Sequence, residues 1–120
     1  MISPFRTLSL AAHGVVETLA APLIMAAPFL LGFSTGAGAV AVVLGALLFG
    51  LALSIQGDPP AISLSSHAAF NYALGFIALV AGIAAAVLNR GLPEILFFVG
   101  IGSAQLALTA NTRFVAPREA

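Results

Sequence analysis

The 120-residue chain contains no cysteine, no tryptophan and no lysine. Without cysteine it makes no disulfide and no thiolate metal site, and it gives no redox clue to its compartment. Without tryptophan, an interfacial aromatic belt would rest on nine phenylalanines and Tyr72. Charge is scarce as well: Asp, Glu, Lys and Arg make up 7% of the chain, against about 25% in soluble domains. Four arginines are balanced by four acids, so no basic footprint for nucleic acid exists. The motifs of a phosphate loop, a His-Glu-x-x-His zinc site and a Gly-x-Ser-x-Gly nucleophile elbow are all missing. Short turns leave no extramembrane domain for a soluble active site, so an enzyme is not expected.

What the chain has in quantity is apolar surface. It is 61% hydrophobic, with a mean hydropathy of +1.14. So short a soluble domain would bury only ~60–70% of its surface and leave much of this exposed; lipid is the solvent that fits. Four apolar runs stand out, at Phe5–Phe33, Ala37–Gln56, Ala61–Leu88 and from Leu92-Pro93-Glu94 to about Arg113. Each is close to or above the ~20 residues that cross a bilayer as a helix, and lone strands would leave backbone groups unpaired in lipid. The breaks at Gly32–Gly36, Gly57-Asp58-Pro59-Pro60 and Asn89-Arg90-Gly91 carry helix-ending and helix-starting residues. Pro22 and Pro28 lie inside the first run and are expected to bend it. A cleaved signal peptide is not expected there, because the apolar part is long and holds both prolines.

The expected fold is therefore all-α, with four transmembrane helices in a small bundle and residues 1–120 forming one membrane domain. Arg6, Arg113 and Arg118 fall on one side and Arg90 on the other, which predicts cytoplasmic termini, as in a bacterial cytoplasmic membrane protein.

An internal repeat is the most informative pattern. One shift of the chain lays Leu8-Ser9-Leu10-Ala11-Ala12-His13 on Ile62-Ser63-Leu64-Ser65-Ser66-His67. With one more residue in the second turn, Gly45 meets Gly100 and Leu51-Ala52-Leu53-Ser54 meets Leu106-Ala107-Leu108-Thr109. This divides the chain into repeat one, roughly 7–56, and repeat two, roughly 61–110. Each holds two helices, so the halves should be related by an axis along the membrane normal. Gly38 with Gly45, Gly75 with Gly82, and Gly100 are the expected helix-packing residues, since small side chains let backbones approach.

At Ala27-Pro28-Phe29-Leu30-Leu31-Gly32-Phe33-Ser34 the chain resembles the SPW-repeat family of membrane proteins, with Ala for Ser and Phe for Trp in the hallmark tripeptide. The second copy is similar through Asn71-Tyr72-Ala73-Leu74-Gly75 but has Ala81-Gly82 where Ser-Pro would stand; the second helices are similar through Val42-Val43-Leu44-Gly45-Ala46-Leu47. The resemblance covers nearly the whole chain. It implies two tandem repeats and four membrane helices, and it brings no activity with it.

His13 and His67 are the only histidines and hold equivalent places in the repeat. Glu17 and Asn71 follow them by one helical turn, on the same helix faces. Two readings stand side by side. Both histidines can be polar residues near helix starts, inherited from one ancestral unit. Alternatively they ligate haem jointly, across the ~12–14 Å expected between diagonal helices, or hold a metal with Glu17 and Asn71. No cofactor follows from the sequence; haem is the one it leaves open.

The expected role is that of an accessory or scaffold subunit, packing against lipid and against other membrane subunits or copies of itself. A haem or metal carrier is the alternative, and a small transporter the third, since two repeats permit a pathway that the mid-helix residues hardly furnish.

Overall fold

The computed structural model describes residues 6–57 and 59–115. Phe5, Asp58 and Arg118, used above for a helix start, a turn and the orientation, lie outside the described residues. Four helices follow one another: α1 (Leu10–Leu31), α2 (Thr35–Ser54), α3 (Leu64–Val87) and α4 (Leu92–Ala110). All four are long and apolar enough to cross a membrane.

The helices begin and end where local chemistry dictates. Ser9 and Ser63 accept from the backbone N–H groups of Ala12 and Ser66, which fixes the starts of α1 and α3. Both helices therefore start a few residues later than the apolar runs do. Gly32 ends α1 in the left-handed conformation at φ 69°, and its N–H reaches back to the Pro28 carbonyl. Asn89 does the same service after α3 with φ 55°. At the other extreme, α4 stops at Ala110 rather than Arg113. Beyond it the chain extends beside the stretch before α1: Leu8 N–H donates to Asn111 O (2.9 Å), and Arg113 N–H donates to Leu8 O (2.9 Å). The two ends of the described chain are thus tied together at one end of the bundle.

The helices pack as two hairpins, α1 with α2 and α3 with α4. The hairpins meet mainly along α2 and α3, while α1 and α4 touch little. Ala21, Ala41, Leu44, Leu48, Leu74, Ala78 and Phe98 form the apolar core between them. Close approach depends on glycine at particular places. A Cβ on Gly45 would lie 3.0 Å from Ala21 O, and one on Gly102 would lie 2.8 Å from Gly75 O. Gly75 and Gly82 are equally tight, against Leu106 and Val99, and Gly38 sits at ordinary contact with Pro28. Gly100 is a correction: it is exposed and faces open space, and Gly102 is the glycine that α4 brings to the α3–α4 contact. Glu94 is buried at the end of the bundle where α1 turns into α2, and its Oε1 accepts from Ser34 N–H (2.7 Å).

Candidate metal centre

The serine caps set the positions of the histidines. Each cap is followed four residues on by a histidine in the first helical turn, so His13 and His67 enter from the same end of the bundle. Both are fully buried, and so is Asn71; Glu17 is 2% exposed. The imidazole centroids are 5.6 Å apart with the rings edge to face. Helices α1 and α3 are diagonal partners, yet their side chains meet between them.

Glu17 lies between the two rings. Its Oε1 meets His13 Nε2 and lies 3.2 Å from His67 Nε2. These three ligand-type atoms all lie within 4.8 Å of one another. Glu17 Oε2 and His67 Nδ1 are buried and have no hydrogen-bond partner among the described residues. Buried polar groups are rarely left so, and two orphans in one cluster ask for a reason.

The hydrogen bonds around His13 place a hydrogen on its Nδ1. The Thr112 hydroxyl donates to Leu108 O at 2.6 Å, which uses its single hydrogen. The 2.8 Å contact between His13 Nδ1 and Thr112 Oγ1 must then be donated by the ring. With its hydrogen on Nδ1, a neutral His13 turns a lone pair at Nε2 toward the centre. There it meets the Asn71 amide nitrogen (3.1 Å) and the Glu17 carboxylate. The Asn71 N–H donates to that lone pair, and a proton or a metal ion between Nε2 and the carboxylate would relieve their mutual repulsion.

Asn71 reaches this point from α3, and its orientation is set in turn by α4, since Gln105 Nε2 donates to Asn71 Oδ1 at 2.6 Å. Asn71 therefore presents a nitrogen to the cluster and turns away the oxygen that could ligate. Phe114 closes the end of the bundle, its ring 5.3 Å from His13 and 6.0 Å from His67. So of the candidates read from the sequence, His13, His67 and Glu17 converge, and Asn71 braces His13 from the side. Thr112 and Phe114 belong to the site but carry no signal in the sequence, because they act from an extended segment after α4. Gln105 is a rare polar residue in an apolar run, and nothing in the sequence points to its partner.

No protein-family model matches the chain, and no curated protein or solved structure shows significant similarity to it. Its own residues carry the functional argument.

Proposed function

We propose that this chain spans a membrane with its four helices and holds one first-row divalent metal ion, of the zinc class, on His13, His67 and Glu17. The observation that carries the reading is the buried convergence of two imidazole nitrogens and one carboxylate oxygen. Two histidines and one carboxylate are a common donor set for zinc, and leave a further position open. Ligands at about 2.0 Å in a tetrahedral arrangement lie roughly 3.3 Å from one another, near the 3.2 Å between His67 Nε2 and Glu17 Oε1. The Thr112 contact supports it as well, because a ligating histidine usually donates its other ring N–H to an oxygen that fixes its tautomer.

Ionisable side chains within a bilayer are costly, by ~3 kcal/mol each on insertion scales, and they are retained where they serve a site. Haem fits less well than a lone ion: the Glu17 carboxylate and the Phe114 ring occupy the space around the two imidazoles that a macrocycle would need. A kinship with the SPW-repeat proteins remains part of this proposal, resting on the residues quoted above.

The test is metal analysis of untagged protein purified in detergent, followed by titration of the metal-free form with Co2+. About one metal per chain is expected, with tetrahedral Co2+ absorption that disappears in Glu17→Gln and His67→Ala. Metal-free protein that takes up no Co2+ defeats the reading. A haem spectrum that depends on both histidines would transfer the site to haem.

A second reading concerns what surrounds the protein. Gly50 and Gly100 are exposed on α2 and α4 with open space beside them, where another helix could approach closely. That favours an accessory subunit packed against other membrane proteins or copies of itself. Native mass spectrometry of gently extracted protein tests it, and a lone chain without added polypeptide mass would count against it.

A further inference from the structure

The cluster of His13, His67 and Glu17 is sealed, with both histidines fully buried and Glu17 2% exposed. It nevertheless lies close to one end of the bundle. Each histidine is four residues past its serine cap, so at 1.5 Å per residue it sits about 6 Å along its helix. An ion that binds there crosses a short barrier, and the sides of the site present different ones. Toward the cleft between α1 and α4 the lining is apolar apart from Glu17 and Gln105. Beyond that cleft lies hydrocarbon, which a charged ion does not cross. At the end of the bundle lies Phe114, its ring 5.3 Å from His13 and 6.0 Å from His67, and Phe114 is itself half-buried.

We infer that ions enter and leave the centre at this end, and that Phe114 is the gate, swinging off the two imidazoles while Thr112 stays in place. The inference rests on the metal reading for the identity of what passes. The segment after α4 is anchored unevenly. Asn111 N–H donates to Ala107 O and Thr112 N–H to Thr109 O. The Thr112 hydroxyl donates to Leu108 O and accepts from His13 Nδ1. Past Thr112, the hydrogen bond made by the described residues runs from Arg113 N–H to Leu8 O (2.9 Å). Arg113 Nε is buried without a partner among the described residues, so the closed position leaves a donor unmet that water satisfies on opening. Opening beyond Thr112 therefore breaks little, and it leaves His13 oriented to receive the ion. Phe114 offers no ligand atom, so it alters the barrier and not the bound state.

The experiment uses the full chain, metal-free, in nanodiscs of dioleoylphosphatidylcholine. Co2+ uptake is followed by stopped flow, and release by a chase with excess EDTA. Phe114→Ala should speed uptake and release alike by about tenfold or more, with affinity within about threefold of wild type. Phe114→Leu, which still covers the rings, should fall between the two. A second assay needs no ion: diethylpyrocarbonate modification of His13 and His67 in the metal-free chain, mapped by mass spectrometry, should accelerate in the same order. Rates unchanged in both assays overturn the gate and leave the metal reading intact. Faster release with unchanged uptake, and so weaker binding, overturns it too, because Phe114 would then hold the ion in place. A chain that takes up no Co2+ while its histidines react faster in Phe114→Ala defeats the metal reading and keeps the gate over the histidines.

Discussion

Hairpin α1–α2 closes where Gly45 lies against Ala21 and Met25, and hairpin α3–α4 closes where Gly102 lies against Gly75 and Leu79. Both first helices start from a serine cap with a histidine in the first turn. The interior chemistry then diverges. One turn after its histidine, α1 has Glu17 and α3 has Asn71. Along the second helices, α2 buries Leu48 and Ala52 where α4 buries Gln105 and Thr109. One hairpin supplies the carboxylate, and the other supplies the amides that hold the site in order. Small residues at the helix contacts fix the backbone and leave the neighbouring interior positions free to take unlike groups. A site made at the seam of two similar units can thus be asymmetric, with both histidines shared and a single charge between them.

Making the hairpins alike at this point is the strongest way to break the comparison. Glu17→Asn gives α1 the amide that α3 already has, and removes the carboxylate between the imidazoles. Metal affinity should fall by at least about 100-fold, beyond the usual cost of losing an outer partner. Competition titration with a chromophoric chelator measures it; affinity within threefold of wild type would show that the histidines alone hold the ion. The reciprocal change, Asn71→Glu, adds a second buried carboxylate and should not restore binding when combined with Glu17→Asn, because Asn71 is turned toward Gln105.

The next effect separates the two histidines, which look identical in the sequence. His13 is oriented by Thr112, whereas His67 Nδ1 has no partner among the described residues. Thr112→Val should therefore weaken metal binding by about 10- to 100-fold, acting through His13 alone. In a double-mutant cycle it should add nothing to His13→Ala, yet add its full effect to His67→Ala. Full additivity with both would mean that Thr112 serves packing and not ring orientation.

The sequence made the helices legible because their apolar runs are long and their breaks have known mechanisms. His13, Glu17 and His67 were legible too, since a rare polar residue in an apolar chain attracts notice and one-turn spacing puts it on a face. What stayed hidden was rotation and distance. Nothing in the spacing showed that diagonal helices would bring the rings to 5.6 Å, or that the chain after α4 would turn back to lay Thr112 and Phe114 on the site. Which glycine of α4 serves the contact was misread as well. A glycine tolerated on an open face and one required at a contact are the same letter; of Gly100 and Gly102, it is Gly102 that lies under a neighbouring backbone.

That misreading gives a third prediction, on stability. Gly102→Ala should destabilise by ~1–3 kcal/mol, because its Cβ would crowd Gly75 O and the Leu79 nitrogen, both backbone atoms that cannot swing aside. Gly45→Ala should cost less, since its closest neighbour is the flexible Met25 side chain. Gly100→Ala should be neutral or slightly stabilising. Thermal unfolding followed by circular dichroism in one detergent ranks the three, and a Gly100→Ala cost equal to that of Gly102→Ala would contradict the packing described.

The smallest effect lies at the far end of the bundle, where the hairpins differ once more. Glu94 of α4 reaches across to the start of α2 and accepts from Ser34 N–H, and its Oε2 has no partner among the described residues. Here the hydrogen bond rather than the charge matters, because a glutamine offers the same acceptor oxygen at the same reach. Glu94→Gln should therefore cost about 1 kcal/mol or less, while Glu94→Leu leaves a backbone donor unmet and should cost ~1–3 kcal/mol. Neither should alter metal affinity, since the site lies at the opposite end of the helices. If Glu94→Gln proved as costly as Glu94→Leu, the charge itself would be in use, and the far end would hold a second ionic site rather than a brace between hairpins.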